Sequence, residues 1–125
     1  MRKVLGVGNC AIDHGNIRQM LQEHFAAELD AVHDGTSALD ALRANDYDLV
    51  LVNRLLDRDG SSGLDVIKSI RTASEFALVP VMMVTNFSDH QAQAVAAGAV
   101  PGFGKAALGT AETLACLQPF LAEDA

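Results

Sequence analysis

Two stretches, YDLVLVN at 47–53 and VPVMMVT at 79–85, carry apolar runs with no polar residue between them. A strand with one wet face alternates apolar and polar residues, so an unbroken run demands cover on both faces. A parallel sheet flanked by helices provides it. Strand-like and helix-like periods alternate along the chain: VLGV at 4–7, IRQMLQEHF, ELDAV, SALDALRA, DLVLV, GLDVIKSIR and VPVMMVT. A short fifth strand near Gly102-Phe103 and a last helix from about Thr110 complete the rhythm. The spacing therefore predicts a doubly wound α/β fold with a five-stranded parallel sheet, in one domain over residues 1–125.

The first helix is amphipathic, with Ile17, Met20, Leu21, His24 and Phe25 on one face and Arg18, Gln19, Gln22 and Glu23 on the other. Asp34-Gly35-Thr36 marks the turn into the second helix, where Thr36 is placed to cap the amides and Ala38, Leu39, Ala41 and Leu42 form the buried stripe. Ser88 and Gln91 have the spacing of a capping box opening a fourth helix through Ala97, which Gly98 stops. Pro119 is expected to distort the last helix, and residues 122–125 to fray.

A formal charge of -7, with Lys and Arg scattered singly, offers no basic patch for a phosphate backbone, so nucleic acid is not expected as a direct partner. The apolar run before Asn9 is too short for a secretion signal core or a membrane span, which places the chain in the cytoplasm and off the membrane. Cys10 and Cys116 have neither paired spacing nor a histidine cluster and read as reduced thiols. Gly6 and Gly8 begin a dinucleotide-type loop, but Ala11 stands where its third glycine belongs.

In an open parallel sheet, function gathers beyond the carboxyl ends of the central strands, here at Gly8-Asn9, Asn53, Thr85-Asn86 and Lys105. The order of strands, Asn53 ending the third, VPVMMVT ending the fourth, and AGAVPGFGK leading to Lys105 together resemble the receiver domain of bacterial two-component response regulators. The resemblance covers essentially the whole chain and implies a flavodoxin-like fold. It also implies a phosphoryl-acceptor aspartate after the third strand, a Mg²⁺-binding acidic pair after the first, and a hydroxyl and a lysine that contact the phosphoryl group.

By position, Gly8 and Asn9 stand for the acidic pair, Asn53 for the acceptor, Thr85 for the hydroxyl and Lys105 for the lysine. Only the last two keep the family's chemistry. Phosphorylating a carboxylate needs an anionic oxygen and a cation to offset the charge on the phosphoryl group, and Asn53, Gly8 and Asn9 supply neither. Mg²⁺ binding is thus expected to be weak or absent, with no cofactor. Ten residues separate Asn53 from Gly63, which enlarges the loop RLLDRDGSSG, while the stretch from Thr85 to Lys105 is shorter than usual. The family's aromatic switch position falls on Gly102, beside Phe103, and Ala106 replaces the proline that follows the lysine.

Asp57, in the enlarged loop, and Asp13, in NCAIDHG, are the carboxylates that could substitute for the missing acceptor. A second register would set Asp13 in an acidic-pair position by running the first strand through NCAID, but VLGV is the better strand. The acidic loop lacks the ligand spacing and closing Glu of an EF-hand, and His14 has no nucleophile tied to it by spacing. The reading is a degenerate receiver, not an enzyme, that acts by protein binding in a two-component or phosphorelay pathway. Its partner would be a histidine kinase or an output protein, docked by family analogy on His90, Gln93, Phe103 and exposed residues of 110–122. Two alternatives stand beside it: a regulator phosphorylated on Asp57 or Asp13, and a small-ligand sensor using the pocket of Asn53, Thr85 and Lys105. The sequence leaves the oligomeric state open.

Overall fold

A computed structural model describes residues 1–122. Four parallel strands, β1 (Lys3–Val7), β2 (Glu28–Val32), β3 (Leu49–Asn53) and β4 (Val81–Val84), lie in the order β2-β1-β3-β4. They alternate with helices α1 (Ala11–Phe25), α2 (Gly35–Ala44), α3 (Gly63–Thr72), α4 (Ser88–Ala96) and α5 (Ala111–Leu121). The apolar runs divide between two cores, because successive strand side chains point to opposite faces. Val50 and Val52 pack under α2 and α3 with Leu5, Val7, Ile67 and Ile70, while Leu49 and Leu51 pack under α1 and α5 with Val4, Ile17, Leu21 and Leu117. The strand β1 ends at Val7 and α1 starts at Ala11, which rules out the register that ran the first strand through residues 9–13.

The sheet has four strands, not five. Val100 N–H donates to Val81 O at 2.9 Å and Phe103 O accepts from Thr85 N–H at 3.0 Å, so both residues face β4 although three positions apart. A regular strand, with its period of two, cannot do that. The phase slips at Pro101-Gly102, where the side chain of Gln91 enters from α4. Gly102 N–H donates to Gln91 Oε1 at 3.0 Å, and Gln91 Nε2 donates to Met83 O at 2.9 Å. One parallel bridge, Val84 to Phe103, is all that remains of the fifth strand.

Local chemistry corrects three further expectations. Asp34, not Thr36, caps α2, its Oδ1 accepting from Ser37 N–H at 2.7 Å. No capping box forms at α4, since Gln91 is engaged with the sheet and Ser88 makes no cap bond. His24 is exposed, leaving Ile17, Met20 and Leu21 as the buried face of α1. Pro119 lies inside α5, which continues to Leu121 with Ala122 N–H bonded to Gln118 O. Of the expected frayed tail, residues 123–125 lie outside the described residues. No helix among the described residues is long and apolar enough to cross a membrane.

Because the Gln91 amide joins α4, β4 and the 102–103 segment, Gln91→Ala should lower stability by about 1–3 kcal/mol, the cost of stranding partly buried polar groups. Urea unfolding measures the loss, and faster amide exchange at Gly102 would locate it. Unchanged stability and exchange would mean that the segment is held without the strap.

Candidate functional site

The parallel register sets Val7 beside Val52 and Asn53 beside Val84, so the ends of β1, β3 and β4 open onto one cleft. Asn53, Thr85 and Lys105 meet there. The side chains of Asn53, Arg54, Leu55, Thr85, Asn86, Phe87 and Lys105 enclose about 270 Å³.

Asn53 is fixed by what it donates. Its Nδ2 bonds Leu55 O at 2.7 Å and Gly8 O at 3.2 Å, tying the end of β1 to the loop after β3. Both partners are carbonyl oxygens, which need a donor; an ionised carboxylate would face two acceptors with no proton. The glycine that opens α3 guards the same place, since a Cβ on Gly63 would lie 1.9 Å from Asn53 O.

The enlarged loop folds back on itself through an antiparallel bridge between Leu55 and Ser62 and a bond from Leu56 N–H to Ser61 O at 2.9 Å. This turn drives Leu56, 3% exposed, onto the end of β1. Gly8, with φ at 75°, has no room for a side chain: a Cβ there would lie 2.4 Å from Leu56 Cδ2. Asp57 N–H donates to Gly8 O at 3.0 Å and holds the loop down. The neighbouring Asn9 is 4% exposed, and its Nδ2 lies 3.5 Å from where a Cβ on Gly6 would be. Neither of its amide atoms finds a partner among the described residues.

The residues at these positions do not fit a divalent cation. One has no side chain and lies under a leucine, one is buried against Gly6, and the third turns its N–H groups into the cleft's own carbonyls. Among the described residues no group of three His, Cys, Asp or Glu is placed to hold a metal.

Lys105 is positioned by Asn86, whose Oδ1 accepts from Ala106 N–H at 3.0 Å, and by Gly104, where a Cβ would strike that oxygen at 2.1 Å. Its ammonium pairs with Asp13 Oδ2 at 2.7 Å, and Cys10 Sγ donates to the same oxygen at 3.3 Å. Asp13 thus reaches the cleft from α1 while β1 keeps the VLGV register. The Lys105 bond, outweighing partial burial, holds the Asp13 carboxyl below its ordinary range. Asp57 is drawn the other way, 3.3 Å from His33 Nδ1. Thr85 Oγ1 accepts from Phe87 N–H at 3.3 Å, the local backbone role open to a strand-end threonine, while the residue still lines the cleft. Burial, then the charges of Arg18 and His33, pushes the His14 pKa down.

The sequence reading missed Leu56, whose signal was a buried-type residue in a polar loop, and Arg54, whose guanidinium lies 5.7 Å from the Phe87 ring centroid. It also set Phe103 on the docking face, where the side chain is in fact 6% exposed and packed with the α1 and α5 core.

The Asp13 carboxyl should titrate below 3.8 in the native chain, and above it in Lys105→Met, as followed by carboxyl-carbon NMR. A depressed pKa makes the pair's stabilisation complete above 3.8 and loses it as pH falls through the lower folded value. A native Asp13 titrating at or above that value would mean that the pair does not persist in solution.

The description "Response regulator receiver domain" matches residues 11–107. Chemotaxis protein CheY-3 of Vibrio cholerae serotype O1 is 28% identical over 83 residues, which are 66% of this chain. That match spans only 62% of the relative's own length. Among solved structures, a response regulator from Chloroflexus aurantiacus superposes with a TM-score of 0.83 at 20% identity, covering 96% of this chain and 97% of that one. The chemotaxis response regulator CheY4 of Vibrio cholerae superposes at 0.74 with 23% identity, covering 97% and 99%. At these identities the structures speak to the fold, a flavodoxin-like α/β receiver. The chain belongs to the response regulator receiver domain family.

Proposed function

We propose that this receiver works without a phosphoryl switch, holding one conformation and acting by protein binding in a two-component pathway. The observation that carries the reading is Leu56 seated on Gly8, which puts a hydrocarbon where the family places a metal-binding acid. Acyl-phosphate formation needs a carboxylate nucleophile and a cation beside the transferring group. At the family's position the nucleophile is an amide committed to two carbonyls.

Lys105 already has a counter-ion. In the family an acceptor carboxylate faces the lysine; here Asp13 does so from α1 at 2.7 Å, an internal counter-ion that needs no modification. With Gly102 in the aromatic switch position there is no ring to rotate, and Gln91 fixes that segment directly. A fixed module of this kind presents a constant surface. The exposed side of α4, with Gln93 and half-buried His90, and the exposed residues of α5 are the face that receivers offer to kinases and output proteins.

A second reading rests on the same ion pair: Asp13, held against Lys105, is a relocated acceptor. Asp57 suits the role less, since its carboxylate is beside His33 and its backbone is tied to Gly8.

Intact mass after incubation with acetyl phosphate, with and without Mg²⁺, separates the two readings. The native chain should gain no hydroxylamine-labile phosphoryl group; a Mg²⁺-dependent adduct mapped to Asp13 or Asp57 would establish a working switch and overturn the proposal. Asn53→Asp should also stay unmodified, and should lose about 1–3 kcal/mol in urea unfolding at neutral pH because its carboxylate meets Gly8 O and Leu55 O. Phosphorylation of that variant would show that the nucleophile alone was missing.

A further inference from the structure

A larger chamber of about 520 Å³ adjoins the strand-end cleft between α4 and α5. Thr85, Asn86 and Phe87 line both spaces, so the two adjoin along these residues. Gly102 and Gly104 present bare backbone to the chamber. Neither can carry a side chain where it lies, since a Cβ on Gly102 would be 2.4 Å from Met83 O and one on Gly104 would be 2.1 Å from Asn86 Oδ1. The 102–104 segment is therefore packed close against β4 and Asn86.

The two halves differ in chemistry. Phe103, Ala107 and Cys116 give the chamber apolar walls, and the exposed Phe87 ring stands at the boundary. Glu112 lines the far side. In the smaller half, Arg54 and Lys105 are the charged residues of the wall. Lys105 is paired with Asp13, but Arg54 has no carboxylate partner among the described residues and rests against Phe87.

We propose that the joined cleft binds a small planar aromatic molecule bearing one anionic group, carboxylate or phosphate. Its ring lies over Gly102 and Gly104, and its anion meets Arg54 beside Lys105. Clefts of this size that combine apolar walls with placed polar or charged groups are a common form of small-molecule site. A flat ring suits a floor of bare backbone, and a guanidinium left unpaired over an aromatic face suits an oxyanion. Glu112 fixes the orientation, because it repels an anion placed at the chamber end. The anion end of the site is the cleft of Asn53, Thr85 and Lys105, so the proposal rests on the phosphorylation-independent reading, and a titration without phosphodonor can fail while that reading stands.

The test is an amide NMR titration of the unmodified, isotope-labelled chain with naphthoate, alongside naphthol and inorganic phosphate, with no phosphodonor present. Naphthoate should shift the Gly102, Gly104 and Phe87 amides saturably, with a Kd below roughly 1 mM. Naphthol and phosphate should each bind more weakly, by roughly tenfold or more, because each engages one half only. Arg54→Ala should bring naphthoate down to the level of naphthol. In the native chain naphthoate should also slow alkylation of Cys116, a readout that needs no variant. The proposal is overturned if naphthoate shifts no amide in the chamber, if naphthol or phosphate binds as well as naphthoate, or if Cys116 alkylates at an unchanged rate under saturating naphthoate.

Discussion

The side-chain amide of Asn53 holds together the strand-end cleft of this molecule. By donating to Gly8 O and Leu55 O it joins the end of β1 to the loop after β3, and that loop carries Leu56 onto Gly8. Each step depends on the one before. Two carbonyls converge on a position that needs a donor, the loop closes over them, and a leucine fills the space above a glycine that cannot bear a side chain. The amide is therefore a structural donor in its own right.

Around that knot several further polar groups are paired locally. Asp13 comes from α1 to meet Lys105, Asn86 holds the turn that carries the lysine, and Gln91 replaces strand pairing where the sheet runs out of phase. These contacts share a direction: each makes one arrangement of the strand ends self-sufficient. Lys105 has its counter-charge within the chain, and the 102–103 segment is pinned by the Gln91 amide.

Much of the fold was legible in the sequence because it follows from period. LVLV and VMMV could be satisfied only by cover on both faces, and the two cores divide their residues as strand alternation requires. The stripe Ile17, Met20 and Leu21 likewise marked the buried face of α1. The errors fell where a long side chain competes with backbone. Gln91 read as a helix cap because its spacing fits one, yet the Gly102 N–H and Met83 O offered it partners from another part of the chain. Asp34 took the cap assigned to Thr36 because its carboxylate reaches Ser37 N–H from the position before the helix.

The sequence by itself determined the layered α/β architecture and the strand-end location of the site, because hydrophobic period and the direction of the strands are local properties. It also places a glycine and two amides, Gly8, Asn9 and Asn53, at the ends of the first and third strands. Only the tertiary structure decided that Leu56 lies over Gly8, that Lys105 pairs with Asp13, that Phe103 is buried, and that the fifth strand reduces to one bridge. Those outcomes depend on which groups meet across loops and elements distant in sequence, and the strength of a hydrogen bond, an ion pair or a packed contact is set by that meeting and not by residue type.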